Sequence, residues 1–350
     1  MRAVVWQDYG VAPEVLVVAE PQCPDDGVLV RVGATGVCRS DWHAWQGHDP
    51  VPSLPWVPGH ELAGTVAAVG GAVEGWQVGD RVTVPFACGC GRCEHCAAGD
   101  TQVCPDQTQP GFTHWGSFAD LVAIRAADAN LVRLPDALSF VDAASLGCRF
   151  ATAYRAVVHQ GRVEPGDVVA VHGCGGVGLS AVMTAVALGA GVVAVDVSPA
   201  AREAALELGA ESVVDASGLS PDEVAQAVRA TSGGGVHVSV DALGGTSTMR
   251  ASIGSLRRRG RHVQVGLMLG DDAVTPVPMG RVIAEELELV GGHGMPSRDY
   301  PAMLDLVASG RLDVAQLVGR VIGLDDAPAA LMAMSAPASS SGMTVVDLAE

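Results

Sequence analysis

Basic residues are scarce in this 350-residue chain: 21 lysines and arginines stand against 39 aspartates and glutamates, a formal net charge of −18. Such a surface repels the phosphates of nucleic acids and of anionic lipids, so neither nucleic acid nor a membrane is expected as a partner. Aromatic residues are also few, at 4%, but hydrophobic residues reach 49%, which excludes intrinsic disorder and provides for sizeable cores.

The first residues do not predict a secretory signal. The N-terminus has no basic segment followed by an apolar stretch, so a cytoplasmic protein is expected. One nearly uncharged run, Val168 to Val197, is long enough to span a bilayer, but glycines interrupt it in a strand–turn–helix pattern. The nine cysteines of such a chain indicate metal or redox chemistry rather than structural disulfides.

The pattern of apolar residues changes near residue 150. Before it, short alternating runs broken by Gly, Pro and Asp predict a mostly β region. After it, strands alternating with alanine-rich segments predict βαβ units and a parallel sheet, hence a second domain. The expected strands are Val168–His172, Val192–Asp196, Val213–Asp215, Val236–Asp241, His262–Gly266 and Leu287–Gly291. The expected helices are Gly178–Leu188, Pro199–Leu208, Asp222–Thr231 and one near Tyr300–Ser309.

A glycine-rich turn follows the first of these strands. Gly173, Gly175 and Gly178 fit G-x-G-x-x-G, in which the glycines permit a tight turn, close approach to a pyrophosphate and close helix–strand packing. Gly176 and Val177 complete the turn at a helix N-terminus, which favours anions. The pattern therefore predicts a dinucleotide site, with a turn that binds no nucleotide as the alternative.

Asp196 ends the next strand, about 20 residues after the turn, where a carboxylate can bind the ribose hydroxyls of a dinucleotide. The same charge would repel the additional phosphate of NADP, so NAD is the preferred cofactor. A solvated strand end is the alternative role for Asp196, and a nearby Arg202 would soften the preference for NAD.

Four cysteines, Cys90, Cys93, Cys96 and Cys104, follow the spacing C-x2-C-x2-C-x7-C. Four thiolates this close together can surround zinc as a tetrahedron with no open position, so a structural zinc site is expected in a lobe of residues 88–104. An iron–sulfur cluster is the alternative, but the fourth cysteine lies too far along the chain for the bacterial ferredoxin spacing.

Three other segments carry metal-binding residue types: Cys38 to His43, Pro58 to Glu61, and Ser145 to Thr152. A catalytic zinc ion uses three protein ligands and leaves a fourth position for water or substrate. Spacing alone does not show that these segments meet, and a single Cys38 or Cys148 is more often a small buried residue.

In their order along the chain, these motifs resemble the zinc-containing alcohol dehydrogenases of the medium-chain dehydrogenase/reductase family. The resemblance runs essentially end to end. It implies an α/β fold with a Rossmann-type, doubly wound parallel sheet at 151–285. It also implies a mostly β, GroES-like catalytic domain formed by 1–150 and 286–350, and a homotetramer or homodimer that pairs through the cofactor domains.

The resemblance further implies one catalytic and one structural zinc ion per chain. The catalytic zinc would be bound by Cys38, His60 and Cys148, with Glu61 behind the metal and Asp41 orienting the histidine. Zinc would act as a Lewis acid that activates a small alcohol, or an aldehyde or ketone in the reverse direction, while hydride passes to or from NAD.

Proton transfer and cofactor contacts also follow from the resemblance. Ser40 would bind the alcohol oxygen and begin a proton relay to His43, for which a surface histidine is the alternative. Arg39 would meet the cofactor pyrophosphate, and Thr152 and Val177 would press on the nicotinamide ring.

Two aromatic residues, Phe86 and Trp115, are candidates for the substrate pocket, with simple packing as the alternative.

A polyol or amino-alcohol dehydrogenase of the same superfamily is the alternative enzyme, although polyol enzymes tend to place a glutamate near position 148, where this chain has Cys148. A zinc-free quinone reductase is excluded by Cys38 and His60. A nonenzymatic nucleotide-binding scaffold would be expected to have lost part of the ligand set, and none of it is lost.

Overall fold

The computed structural model describes residues 1–336 and 342–349 and divides into two compact units. The first comprises Met1–Ala151 with Gly294–Glu350, and the second comprises Thr152–His293. The interval predicted for the cofactor domain, 151–285, ends before the second unit does. The difference is a strand, Glu288–Gly291, which the structure pairs with the parallel sheet.

The secondary structure is as follows in chain order. The strands are β1 (Arg2–Val5), β2 (Glu14–Val17), β3 (Val28–Val37), β4 (Glu61–Val69), β5 (Arg81–Thr83), β6 (Leu121–Ile124), β7 (Val132–Arg133), β8 (Val168–His172), β9 (Gly191–Asp196), β10 (Ser212–Asp215), β11 (Val236–Asp241), β12 (Leu256–Gln264), β13 (Glu288–Gly291), β14 (Val318–Gly323) and β15 (Met343–Asp347). The α-helices are α1 (Arg39–Trp45), α2 (Glu94–Ala97), α3 (Ala127–Asn130), α4 (Phe140–Ala144), α5 (Ala151–Arg155), α6 (Gly176–Ala187), α7 (Pro199–Glu207), α8 (Pro221–Thr231), α9 (Thr246–Ser255), α10 (Met279–Glu285), α11 (Tyr300–Ala308) and α12 (Ala327–Ala333). Two π-helical turns flank α5, at Leu146–Phe150 and Ala156–Gln160.

The second unit contains the parallel sheet, with strand order β10-β9-β8-β11-β12-β13. The order reverses between β8 and β11, and in open sheets of this type ligands bind beyond the carboxyl ends of the strands at such a reversal. The predicted Rossmann-type sheet is confirmed, and the glycine turn directly follows β8 at the reversal.

Capping side chains and prolines stabilise the first turns of two helices in this unit, α7 and α8. The side chain of Ser198 accepts from the backbone N–H of Ala201 at the start of α7. Ser220 and Glu223 form a reciprocal capping box at the start of α8, and prolines occupy the first turns of both helices. Buried valines of β9 to β11 pack against α8 and α9 to form the core.

The first unit is mostly β, as expected. Its larger sheet has the order β14-β15-β3-β4-β5-β7, with β6 also paired to β3. The antiparallel pairing of β3 with β4 sets Gly36 opposite Glu61. The ends of the two strands therefore bring the segment after Val37 close to the segment before Glu61.

One strand differs from its predicted bounds, and one ambiguous run folds as predicted. Strand β12 begins at Leu256 rather than at the predicted His262. The prediction missed its first half because three exposed arginines, 257–259, interrupt the apolar pattern there. The run from Val168 to Val197 folds as β8, α6 and β9, the last of which ends at Asp196. Within residues 1–336 and 342–349, no helix has the length and apolarity needed to cross a membrane.

Candidate active site

The four cysteines of the lobe come together around one point. The Sγ atoms of Cys90, Cys93, Cys96 and Cys104 all lie within 4.8 Å of one another. The Sγ atoms of Cys93 and Cys104 are 3.6 Å apart. This is near the separation of about 3.8 Å that follows for thiolates placed ~2.3 Å from a tetrahedral zinc ion. All are free thiols in the described structure, so the donor set fits a structural zinc ion.

The backbone of this lobe favours thiolates. The N–H of Cys90 donates to the Sγ of Cys104 at 3.3 Å. Hydrogen bonding from the backbone N–H of Arg92 lowers the pKa of Cys90 to about 6. Gly89 permits the close approach of the chain, because a Cβ there would stand 2.7 Å from the Sγ of Cys96. Burial raises the pKa of Cys96 to about 12 and also raises the pKa of Cys104, so Cys90 is the thiol of this set that the lobe favours in the deprotonated form that zinc binds.

The distant segments predicted to bind the catalytic metal also meet. One donor atom from each of Cys38, His60, Glu61 and Cys148 lies within 4.8 Å of the others. Cys38 caps α1, His60 immediately precedes β4, and Cys148 lies in the π-helical turn at Leu146–Phe150. Such turns are frequent at functional sites because they re-aim a side chain out of the regular helix.

Asp41 ties two of these segments together and is buried. Its Oδ2 accepts from the backbone N–H of Cys38 at 3.0 Å, and its Oδ1 accepts from the N–H of Gly59 at 3.0 Å. The same Oδ1 lies 3.0 Å from Nδ1 of His60. This contact places the ring proton on Nδ1, which leaves a lone pair on Nε2 for a metal.

The Nε2 atom of His60 tests whether this cluster fits a metal ion. It is buried and has no hydrogen-bond partner among the residues that the structure describes. A buried polar atom without a partner is costly, so it calls for an explanation. A metal ion bound together with the free thiols of Cys38 and Cys148 provides one.

The two thiols of this cluster are electrostatically distinct. The side-chain hydrogen bond between them lowers the pKa of Cys38 well below its usual value. The same hydrogen bond raises the pKa of Cys148 well above its usual value. The cluster therefore favours a thiolate at Cys38 first, the ionised form in which cysteine binds zinc.

Arg149 is a site residue that the sequence reasoning missed. Its Nε lies 2.9 Å from Oε1 of Glu61, its Nη2 contacts Oε2, and its backbone N–H donates to Oε1 at 3.0 Å. Burial raises the pKa of Glu61, and the charge of Arg149 opposes this. Gly36 leaves room for the pair, since a Cβ there would stand 3.0 Å from Nη2. The sequence shows only that Arg149 adjoins Cys148; its burial, which makes an acidic partner necessary, is a tertiary property.

Aromatic rings flank His60. The ring centroids of Phe86 and Phe112 lie 6.2 Å and 5.2 Å from its own. Phe112 was missed because its loop carries no recognisable motif. Trp115 packs against the buried clusters that contain Trp6 and Val57. Phe86 thus lies beside the cluster, whereas a pocket role for Trp115 stays a prediction.

Helix α1 carries the residues predicted for proton transfer. Ser40 is half-buried in its first turn. Nδ1 of His43 lies 3.1 Å from Nδ1 of His48, and burial followed by the charge of His48 lowers the pKa of His43. Arg39 is exposed and stacks on Trp42, with 5.0 Å from its guanidinium carbon to the ring centroid. Their contacts with substrate and cofactor stay predictions.

The glycine turn has the geometry that dinucleotides require. Gly173 has a φ of +88°, which favours glycine. A Cβ at Gly178 would collide with the carbonyl oxygen of Gly173, whereas one at Gly175 would enter open space. Gly176 and Val177 open α6, whose first-turn N–H groups have no acceptor within the helix. The turn fits a pyrophosphate.

Two further predicted cofactor residues have defined surroundings. Oδ2 of Asp196 accepts from the backbone N–H of Cys174 at 2.7 Å, and Oδ1 accepts from the N–H of Ser198 at 2.8 Å. The carboxylate is therefore fixed against the glycine turn. Oγ1 of Thr152 is buried and lacks a hydrogen-bond partner in the described part of the chain. Their contacts with ribose and nicotinamide stay predictions.

Comparison with known proteins agrees with this arrangement. Residues 24–136 match the model of the alcohol dehydrogenase GroES-like domain, and residues 176–309 match that of the zinc-binding dehydrogenases. An alcohol dehydrogenase of Geobacillus stearothermophilus is 35% identical over 89% of this chain and 90% of its own. A D-arabitol-phosphate dehydrogenase of Enterococcus avium is 32% identical over 85% of this chain and 84% of its own.

Solved structures show the same likeness. The alcohol dehydrogenase TADH from Thermus sp. ATN1 superposes with a TM-score of 0.90 at 31% identity, and 99% of each chain is covered. Sequence identity, coverage and fold thus agree over nearly the whole length. The chain belongs to the zinc-containing alcohol dehydrogenases of the medium-chain dehydrogenase/reductase family.

Proposed function

We propose that this oxidoreductase oxidises small alcohols with NAD, and reduces aldehydes or ketones in the reverse direction, at a zinc ion bound by Cys38, His60 and Cys148. The observation that carries the proposal is the buried, unpartnered Nε2 of His60 within reach of the two thiols. A second zinc ion, bound by the four cysteines of the lobe, would be structural. When bound, the catalytic zinc would supply Lewis-acid polarisation of the substrate oxygen.

The chain's own residues would orient the ligands and remove the proton. Asp41 holds His60 in the tautomer whose Nε2 is free. We assign to Oγ of Ser40 the first hydrogen bond to the substrate hydroxyl. We assign to His43 the role of accepting the proton that the substrate hydroxyl gives up. The lowered pKa of His43 leaves its ring neutral near pH 7 and able to accept that proton.

NAD is the proposed cofactor. Its pyrophosphate would meet the N-terminus of α6 and the guanidinium of Arg39. Its adenosine ribose would bind Asp196, whose negative charge disfavours the additional phosphate of NADP. Thr152 and Val177 would pack on the nicotinamide ring and orient it for hydride transfer.

The substrate class is proposed from the surroundings of His60. The rings of Phe86 and Phe112 make this side of the cluster apolar, which favours simple aliphatic or aromatic alcohols over polyols. The polyol alternative is worth testing because one relative is a D-arabitol-phosphate dehydrogenase. The free thiols also suit a reducing compartment, and we propose the cytoplasm.

The test measures metal and turnover on the same preparation. We expect about two zinc ions per chain, as the two donor sets imply, and reduction of NAD with aliphatic or benzylic alcohols. Sorbitol, arabitol and NADP should give much lower kcat/KM values. Turnover with polyols alone would favour the polyol alternative, and NADH binding without turnover of any alcohol or carbonyl would contradict an enzyme of this class.

A homo-oligomer is proposed from the exposed edge of the parallel sheet. Strand β13 pairs with β12 and ends the strand order of that sheet, so no further strand of the described residues covers its outer edge, which could take a partner strand. Apolar side chains lie exposed on and before this strand, among them Val274, Ile283 and Leu289. A second copy of the chain, related by two-fold symmetry, would bury both features at once.

Replacing Ile283 with glutamate is expected to dissociate the oligomer. Its side chain is 74% exposed in the single chain, so the substitution should leave the fold intact while it adds charge to the contact. Mass measured by light scattering during gel filtration should fall to that of one chain, or of a smaller oligomer. Val17→Glu, at an 85% exposed position of β2, is the control and should leave the mass unchanged. An unchanged mass for Ile283→Glu contradicts this interface.

A further inference from the structure

We propose that Asp215 is a specificity-determining residue, which keeps the cofactor site selective for NAD by engaging Arg202 and withholding it from the 2′ position of the adenosine ribose. The inference rests on the proposed function, because it presumes that a dinucleotide binds at the glycine turn. It concerns the basic residue that would otherwise soften the selectivity set by Asp196.

The guanidinium of Arg202 contacts two strand ends through both of its Nη atoms. Nη1 donates to the carbonyl oxygen of Asp196 at 2.8 Å and lies 2.9 Å from Oδ1 of Asp215. Nη2 donates to Oδ2 of Asp215 at 3.0 Å. The arginine side chain is 14% exposed and that of Asp215 is 55% exposed, so the guanidinium is largely shielded from water while the carboxylate faces solvent, and the two-pronged contact fixes the geometry of the pair.

The position of this pair in the sheet gives it a role in cofactor binding. Asp196 and Asp215 are register partners at the carboxyl ends of β9 and β10. Asp196 also accepts from the N–H of Cys174 in the glycine turn, so the pair lies directly beside the proposed ribose contact. The N–H of Ser217 donates to Oδ1 of Asp215 at 2.9 Å and holds this carboxylate in place.

The pair of Arg202 and Asp215 would disfavour a cofactor that carries a 2′-phosphate. A site that accepts NADP provides an arginine for this group, and the pairing is strong because the guanidinium fork matches phosphate oxygens. Here Arg202 has Asp215 as its partner, and Asp196 adds a second negative charge at the same edge. A 2′-phosphate would have to compete with a carboxylate already bound to the guanidinium.

The experiment uses Asp215→Asn in the full-length protein. Asparagine keeps an oxygen for the N–H of Ser217 but removes the charge that holds Arg202. Calorimetry would measure binding of two probes, adenosine 2′,5′-bisphosphate and 5′-AMP, and NADH binding would be measured alongside. We expect the ratio of the two Kd values to shift toward the bisphosphate by about tenfold or more, the worth of one hydrogen bond to a charged group.

Two further variants make the reason for the shift testable. Asp215→Asn combined with Arg202→Met should lose the gain, since the freed guanidinium is then absent. Glu288→Gln is the matched control: it breaks a forked pair with Arg261 of similar exposure, 12% and 46%, at the amino end of β13, and should not change the ratio.

Each result has one meaning. A shift that depends on Arg202 supports the proposal. An unchanged ratio in Asp215→Asn, or an equal shift when Arg202 is also replaced, overturns it. Failure of the unmodified protein to bind NADH or 5′-AMP would instead overturn the proposed cofactor site itself.

Discussion

Replacing Cys38 with serine is expected to lower NAD-dependent alcohol oxidation by about a thousandfold or more, because metal polarisation of the substrate oxygen contributes several kcal/mol to the barrier. Bound zinc should fall from about two ions per chain to about one, since only the catalytic set is disrupted. Steady-state kinetics and metal analysis of the same sample check both outcomes. The melting temperature should change little, because the four-cysteine lobe stays intact.

Cys23→Ser is the control for this substitution. Cys23 is a free thiol outside both donor sets, so its replacement should leave zinc content and turnover unchanged. Full turnover in Cys38→Ser would show that the cluster of Cys38, His60 and Cys148 is not the catalytic metal site. Loss of turnover with both zinc ions retained would separate catalysis from metal binding and equally contradict the assignment.

Cys93→Ser is expected to lower the melting temperature and to leave turnover per folded chain largely intact, the reverse of the result for Cys38→Ser. Cys93 and Cys104 hold two turns of the lobe together through atoms 3.6 Å apart, and zinc bound by four thiolates contributes directly to folding. Loss of this ion should lower the melting temperature by on the order of 10 °C, as several kcal/mol do in a chain of this size. Circular dichroism with metal analysis measures this.

Kinetics of the folded fraction distinguish the two metal sites. Turnover per folded chain should fall far less in Cys93→Ser than in Cys38→Ser, because the lobe has no open position for a substrate. An unchanged melting temperature after loss of one zinc ion would show that the lobe does not depend on its metal. A drop in turnover as large as that of Cys38→Ser, at full stability, would place the chemistry at the four-cysteine lobe and contradict the assignment of the catalytic site.

The sequence anticipated most of the parallel-sheet unit because periodicity is a local property. Strand β8 and strand β11 have the bounds that their apolar runs predict, and α7 begins at the expected Pro199. Where exposed charge masks the pattern, as in the first half of β12, the boundary was missed. The end of the unit was also placed too early, since pairing of β13 with β12 is a tertiary contact.

At the candidate site, short-range motifs and long-range assembly contributed differently. The four-cysteine set was predictable because its ligands lie within fifteen residues, where spacing limits geometry. The second set needed the resemblance to a family, because no local rule joins Cys38, His60 and Cys148. Pairing of β3 with β4 and the turn at Leu146–Phe150 bring these three together.

By itself, the sequence determined the presence of a dinucleotide turn, a closed set of four thiols and the residue types of a second metal site. Those features depend on spacing along the chain, which a sequence states directly. Only the tertiary structure decided that Arg149 holds Glu61, that Phe112 flanks His60 and that Asp215 engages Arg202. Burial and partner choice across distant segments arise when strands pair and side chains pack, and no local pattern encodes them.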